Sequence, residues 1–118
     1  IIFLQSDLYE NFSKEIRFDV IVSNPPYIST DKIAELETQV KDFEPKLALD
    51  GGKDGLDFYK KILKLSKDFI NKSGRLYLEI GYDQAKEVVD LAKKEGYYNI
   101  QIIKDLSGRD RGISMSVD

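Results

Sequence analysis

The sequence predicts an α/β fold: a mostly parallel sheet, ended by a C-terminal antiparallel β-hairpin, with helices on both faces. Three observations predict it. Short apolar runs suited to strands alternate with two amphipathic helical stretches, in the order β, β, α, β, α, β, β. The run at 19–23 is apolar on both faces, as a central parallel strand is. The last two strands are separated only by a polar turn, too short for a crossover helix, so one of them must run antiparallel.

Taken in order, residues 1–5 form a short apolar run that reads as a strand ending at Ser6-Asp7. The second strand covers 19–23. Residues 31–43 suit a short helix or an ordered loop. The stretch FEPKLALDGGKDG at 43–55, with its proline and clustered glycines, reads as a loop. A helix is predicted from about 56 to 71, capped by Asp54, with Tyr59, Ile62, Leu63, Ser66, Phe69 and Ile70 on one face. Leu76, Leu78 and Ile80 then alternate with Tyr77 and Glu79 in a third strand closed by Gly81. A second helix at about 83–95 carries Ala85, Val88, Val89 and Ala92 at core-face spacing, with Gly96 as its cap. The turn DLSGRDRG joins the last strands, 97–104 and 112–117.

Composition narrows the chemistry. With 118 residues the chain is one domain at most. It has no cysteine, which excludes disulfides and thiolate chemistry and fits the cytoplasm. It has no histidine, which removes Ser-His-Asp catalysis, Cys-His zinc sites and the usual general base near neutral pH. No metal site is expected. No apolar run approaches the ~20 residues of a membrane span, and no basic-then-apolar leader is present. The net charge of −3 argues against broad attraction to nucleic-acid phosphates.

The informative motif is Asn24-Pro25-Pro26-Tyr27, which stops the second strand abruptly. Proline cannot donate to a ladder, and Pro25 pushes Asn24 away from helical angles, so the corner is stiff. It lies at the carboxyl end of a strand, where open α/β sheets place ligands. The Asn24 side chain offers a carbonyl and an NH₂, and the Pro25 carbonyl adds a second acceptor. Two convergent acceptors suit an exocyclic or amide NH₂, whose lone pair is delocalised until pulled toward a pyramidal nitrogen. A sulfonium methyl is a matching electrophile. Tyr27 supplies an aromatic wall. Taken alone, the tetrapeptide is equally readable as a stiff turn; its place after a buried strand favours the clamp.

Five blocks carry a resemblance: FLQSDLYE at 3–10, FDVIVSNPPYI at 18–28, FEPKLALDGGKDGLDFY at 43–59, GRLYLEIGYDQ at 74–84 and DLSGRDRGI at 105–113. In this order they resemble the HemK/PrmC-type glutamine methyltransferases, class I S-adenosylmethionine-dependent enzymes with a Rossmann-like sheet that act on peptide chain release factors. The resemblance implies methyl transfer from S-adenosylmethionine to the N5 amide nitrogen of a release-factor glutamine. It places Asn24 at both substrate and cofactor, and Pro25, Pro26 and Tyr27 around the glutamine. Asp7 and Leu8 fall at the cofactor, Leu8 at the position lining adenine. It also implies that the family's glycine-rich cofactor loop and N-terminal helical domain belong ahead of residue 1. Residues 1–118 would then be the C-terminal part of a catalytic domain, inactive alone, with two unpaired strand edges inviting self-association or disorder at residues 1–10.

The cluster DGGKDG at 50–55 follows a loop rather than a strand, unlike a dinucleotide-binding turn. As a calcium loop it places Gly52 and Lys61 where acids are needed. It reads as a loop and helix cap. Glu79 and Gly81 end their strand at the rim that holds Asn24, with Glu79 read as a solvated carboxylate in preference to an orienting group. Two other functions use the same corner. A nucleic-acid adenine or guanine amino-methyltransferase would need a basic channel, for which Lys104, Arg109 and Arg111 are the suggestive cluster. A non-catalytic peptide-binding fragment would need no cofactor. Neither membrane nor direct nucleic-acid contact is expected.

Overall fold

The computed structural model describes residues 1–39 and 46–117. Its elements are β1 (Phe18–Ser23), α1 (Thr30–Gln39), α2 (Lys46–Leu49), α3 (Asp57–Ser66), β2 (Ile70–Glu79), α4 (Ala85–Lys94), β3 (Tyr98–Lys104) and β4 (Asp110–Ser116). They form a mixed α/β unit around one four-stranded sheet, ordered β1-β2-β4-β3. β1 and β2 are parallel, whereas β4 runs antiparallel to both of its neighbours. β4 is thus the reversed strand that the short final connection requires.

The core forms where helix faces meet the sheet. Tyr59, Ile62 and Leu63 of α3 and Val88 and Ala92 of α4 pack with Leu76, Leu78, Ile113 and Met115. The last four come as cross-strand pairs, Leu76 with Met115 and Leu78 with Ile113. α3 and α4 lie against one another, and α4 also touches β3. Two buried phenols tie the layers: Tyr59 donates to the Glu79 carbonyl and Tyr97 to the Leu63 carbonyl, each at 2.7 Å. Gly96, at φ +90°, ends α4 as predicted, in the left-handed conformation that glycine adopts without strain.

Several expectations are corrected. Residues 1–5 form no strand: Ile1, Ile2, Phe3 and Leu4 are exposed, and the chain first turns at 7–12. That turn docks through rings, Tyr9 stacking on Phe69 at 4.5 Å and Phe12 meeting Phe18 edge-on. The 19–23 strand is not buried on both faces. As β1 it is the sheet edge, and Val20 and Val22 are 56% and 74% exposed. The helix predicted to reach 71 ends at Ser66, and Ile70–Gly74 belongs to β2. Asp54 accepts from the Leu56 backbone N–H at 2.9 Å, ahead of the helix, and does not cap it. Residues 31–43 are helical through Gln39, and the expected 43–55 loop contains the single turn α2; positions 40–45 lie outside the described residues.

Candidate active site

The register of the sheet brings the corner to its partners. Ser23 is opposite Leu78 across β1 and β2, so Asn24 leaves the sheet beside Glu79. Glu79 faces Gly112 across β4, and the Ile80 N–H donates to the Arg111 carbonyl at 2.8 Å. One rim therefore gathers the carboxyl ends of β1 and β2 and the start of β4. Asn24 is exposed there, Pro25 is buried, and Pro26 and Tyr27 are half-buried. Among the described residues, neither the Asn24 side-chain amide nor the Pro25 carbonyl has a hydrogen-bond partner. The two acceptors of the predicted clamp are left open.

Tyr27 is held from two sides. Its phenol donates to Glu79 Oε1 at 3.2 Å and accepts from Arg111 Nη1 at 3.4 Å. Burial pushes its pKa above the ordinary tyrosine value, and the Glu79 carboxylate adds to that, so the phenol stays protonated as a donor. Glu79 is thus an orienting group, not the merely solvated carboxylate expected. Arg111 also pairs with Asp105 at 3.5 Å.

Two clefts open at this rim, and Tyr27 lines the larger of them. The larger, about 630 Å³, is lined by Tyr27, Ile28, Lys32, Leu36, Tyr82 and Gln84, among others. The smaller, about 340 Å³, is lined by Val22, Asn24, Glu79, Ile103 and Arg111, among others. Arg111 borders both. Asp7 and Leu8 line neither; Leu8, at φ +52°, packs against the core from the 7–12 turn, and Asp7 is exposed. Of the sequence-predicted site residues, Asn24 thus lines the smaller cleft and Tyr27 the larger, while Pro25, Pro26, Asp7 and Leu8 line neither.

Sequence reasoning missed the support behind the corner. The Ile28 N–H donates to the Leu49 carbonyl and the Gly51 N–H to the Ile28 carbonyl, laying the glycine-rich loop along the chain after Tyr27. A Cβ on Gly51 would come within 2.8 Å of the Pro26 carbonyl oxygen, the Gly55 carbonyl oxygen and Tyr27 Cα. These glycines permit close approach of two backbones, a role their loop composition alone does not reveal.

A family model described as Eco57I restriction-modification methylase matches residues 3–82, two thirds of the chain. The chain belongs to that family. Among curated proteins it is similar to the release factor glutamine methyltransferase of Thermodesulfovibrio yellowstonii, 43% identical over 94% of this chain and 39% of that protein. It is 50% identical to the enzyme of the same name from Clostridium botulinum, over 93% of this chain and 39% of that protein. The chain thus spans about two fifths of the length of these relatives. Among solved structures it resembles the release factor-specific protein-(glutamine-N5) methyltransferase of Alicyclobacillus acidocaldarius. The TM-score is 0.54 at 28% identity, covering 86% of this chain and 50% of that one. The α/β sheet and the resemblance read from the five sequence blocks agree with these matches.

Proposed function

We propose that this chain is the C-terminal part of the catalytic domain of an enzyme that methylates the side-chain amide nitrogen of a glutamine in a peptide chain release factor. The observation that carries the proposal is the open pair of acceptors at Asn24 and Pro25, at the rim where Tyr27 stands fixed by Glu79 and Arg111. The names of the relatives support the substrate class.

In this reading the Asn24 side-chain carbonyl and the Pro25 carbonyl accept the two N–H bonds of the glutamine amide and turn its lone pair outward. Tyr27 walls the glutamine side chain. S-adenosylmethionine, when bound, would supply a sulfonium methyl as the electrophile; Asn24 and Pro25 would hold the amide nitrogen with its lone pair toward that methyl, and the one proton the nitrogen loses would pass to water. Asn24, exposed at the lip of the 340 Å³ cleft with an unengaged amide, fits contact with that cofactor. Asp7 and Leu8 are proposed at the cofactor on the family resemblance alone. Among the described residues no helix is long and apolar enough to cross a membrane, and a cytoplasmic site of action accords with a release-factor substrate. The free edge of β1 is proposed to drive self-association of residues 1–118 in isolation.

The family description leaves a second reading, methylation of a nucleic-acid amino group. Its suggestive cations are already engaged: Lys104 pairs with Asp110 at 2.8 Å, Arg111 with Asp105, and Arg109 lies over the Tyr82 ring at 5.2 Å. The experiment is methyl transfer from labelled S-adenosylmethionine by a protein spanning the relatives' full length, with release factor and adenine-containing DNA offered side by side. Label is expected on a release-factor glutamine, falling by at least about 100-fold in Asn24→Ala. Label on DNA would keep the clamp and replace the substrate.

A further inference from the structure

The Gln84 side chain reaches three separate segments at once. Its Nε2 donates to the Tyr27 carbonyl at 2.9 Å and to the Gly55 carbonyl at 3.4 Å, while its Oε1 accepts from the Gly81 N–H at 2.9 Å. These partners follow β1, precede α3 and follow β2, respectively. Only a primary amide offers two N–H donors and a carbonyl acceptor from one planar group. The seat is built to size: a Cβ on Gly55 would come 2.9 Å from Nε2, and one on Gly81 2.8 Å from Oε1. Gln84 also begins α4, its own N–H donating to the Gly81 carbonyl at 3.0 Å, so the clasp is anchored to a helix.

We propose that Gln84 is a positioning residue for methyl transfer, holding the Tyr27 carbonyl so that Asn24 and Pro25 keep their acceptors aimed at the substrate nitrogen. The proposal rests on the glutamine-methyltransferase reading above. Occupying the Tyr27 carbonyl does two things. It pins the peptide that leaves the Pro-Pro corner, whose φ angles are already fixed by the rings. It also withdraws a competing acceptor from the rim, leaving the substrate NH₂ the intended pair. Gln84 acts through the backbone and contributes no atom to the reaction.

The test compares Gln84→Met and Gln84→Glu with wild type, in a protein spanning the relatives' full length. Gln84→Met keeps the length and loses every side-chain hydrogen bond; kcat is expected to fall about 10- to 100-fold, with little change in the KM for S-adenosylmethionine. Gln84→Glu turns a carboxylate toward two carbonyls, which favours its protonated form; that form can donate to Tyr27 and accept from Gly81. The ratio of its rate to wild type is therefore expected to rise as pH falls from about 8 to about 5.5, a recovery that loss of packing alone would not give. An unchanged kcat in Gln84→Met, or a ratio independent of pH, overturns the proposal. Amide hydrogen exchange judges the clasp without activity: Gly81 should exchange faster in Gln84→Met while Ile80, bonded to Arg111, does not. Absence of release-factor methylation by wild type would sink the functional reading, and Gly81 exchange would still decide the clasp. Equal Gly81 exchange in both proteins would remove the clasp itself.

Discussion

At the scale of single residues, the corner owes its shape to two kinds of constraint. Prolines at 25 and 26 fix φ from within, Gly51 and Gly55 let other backbones approach from outside, and Gly81 leaves room for the Gln84 side chain. Gly51 shows this best, because the atoms its Cβ would meet are all backbone and cannot swing away. Gly51→Ala is expected to destabilise the fold by ~2–3 kcal/mol through overpacking, read as a lower urea midpoint. Gly108→Ala, where a Cβ would meet nothing within 4 Å, should cost only the strain of its positive φ, about 1 kcal/mol. Equal losses at the two sites would mean that the glycine loop does not support the corner. Asn24-Pro25-Pro26-Tyr27 was legible in sequence because an amide and two prolines ending a strand are locally unusual. Gln84 was not: a glutamine before a helix has many ordinary uses, and its partners lie 57 and 29 residues away. Glu79 was seen but misjudged, since only the sheet register places it beside Tyr27.

At the scale of elements, tertiary pairing decided what periodicity left open. Both amphipathic helices were legible from their apolar spacing, and the reversed final strand from the shortness of its connection. The start of β2 was not legible: Asn71, Lys72, Ser73 and Gly74 read as a helix end and turn. They form a bulge within β2: Phe18 pairs with Ile70 and Val20 with Arg75, so the four lie opposite Asp19 alone, with Ser73 at φ +71° and Asn71 donating to Asp19 at 2.9 Å. The apolar run at 1–5 failed in the opposite direction, since strand-like composition without a partner strand leaves backbone groups unpaired. β1 has the complementary problem, one edge paired with β2 and the other free among the described residues, with Val22 exposed beside it. Residues 1–118 alone are expected to self-associate through this edge. Val22→Lys should weaken that association by about tenfold or more, since an edge lysine discourages strand addition. Sedimentation equilibrium checks it; a monomeric wild type, or identical association in both proteins, would show that the edge is not the contact.

At the scale of the whole molecule, the buried phenols set how the fold responds to alkali. Tyr9, Tyr27, Tyr59 and Tyr97 come from the 7–12 turn, the corner, α3 and the residue just before β3, and burial raises the pKa of each. Tyr59 and Tyr97 are 0% and 4% exposed, and their hydroxyls are committed to carbonyls of Glu79 and Leu63. A pKa raised on folding means that the folded state holds its proton where the unfolded state has lost it. Below the unfolded value near 10, both states are protonated, and the stabilisation is fully present. As pH rises above 10, only the unfolded chain gains by releasing the proton, so stability falls until the folded pKa is reached. Each of these two tyrosines then contributes a slope of ~1.4 kcal/mol per pH unit. The unfolding free energy is therefore expected to be flat with respect to tyrosine ionisation below pH 10 and to drop steeply between about 10 and 12. Tyr97→Phe starts lower because the Leu63 carbonyl loses its donor, but its alkaline slope should be shallower by one proton's worth. Urea unfolding at a series of pH values measures both quantities. A slope unchanged by Tyr97→Phe would mean that Tyr97 ionises in the folded protein as readily as in water, which its burial and its bond to α3 do not allow.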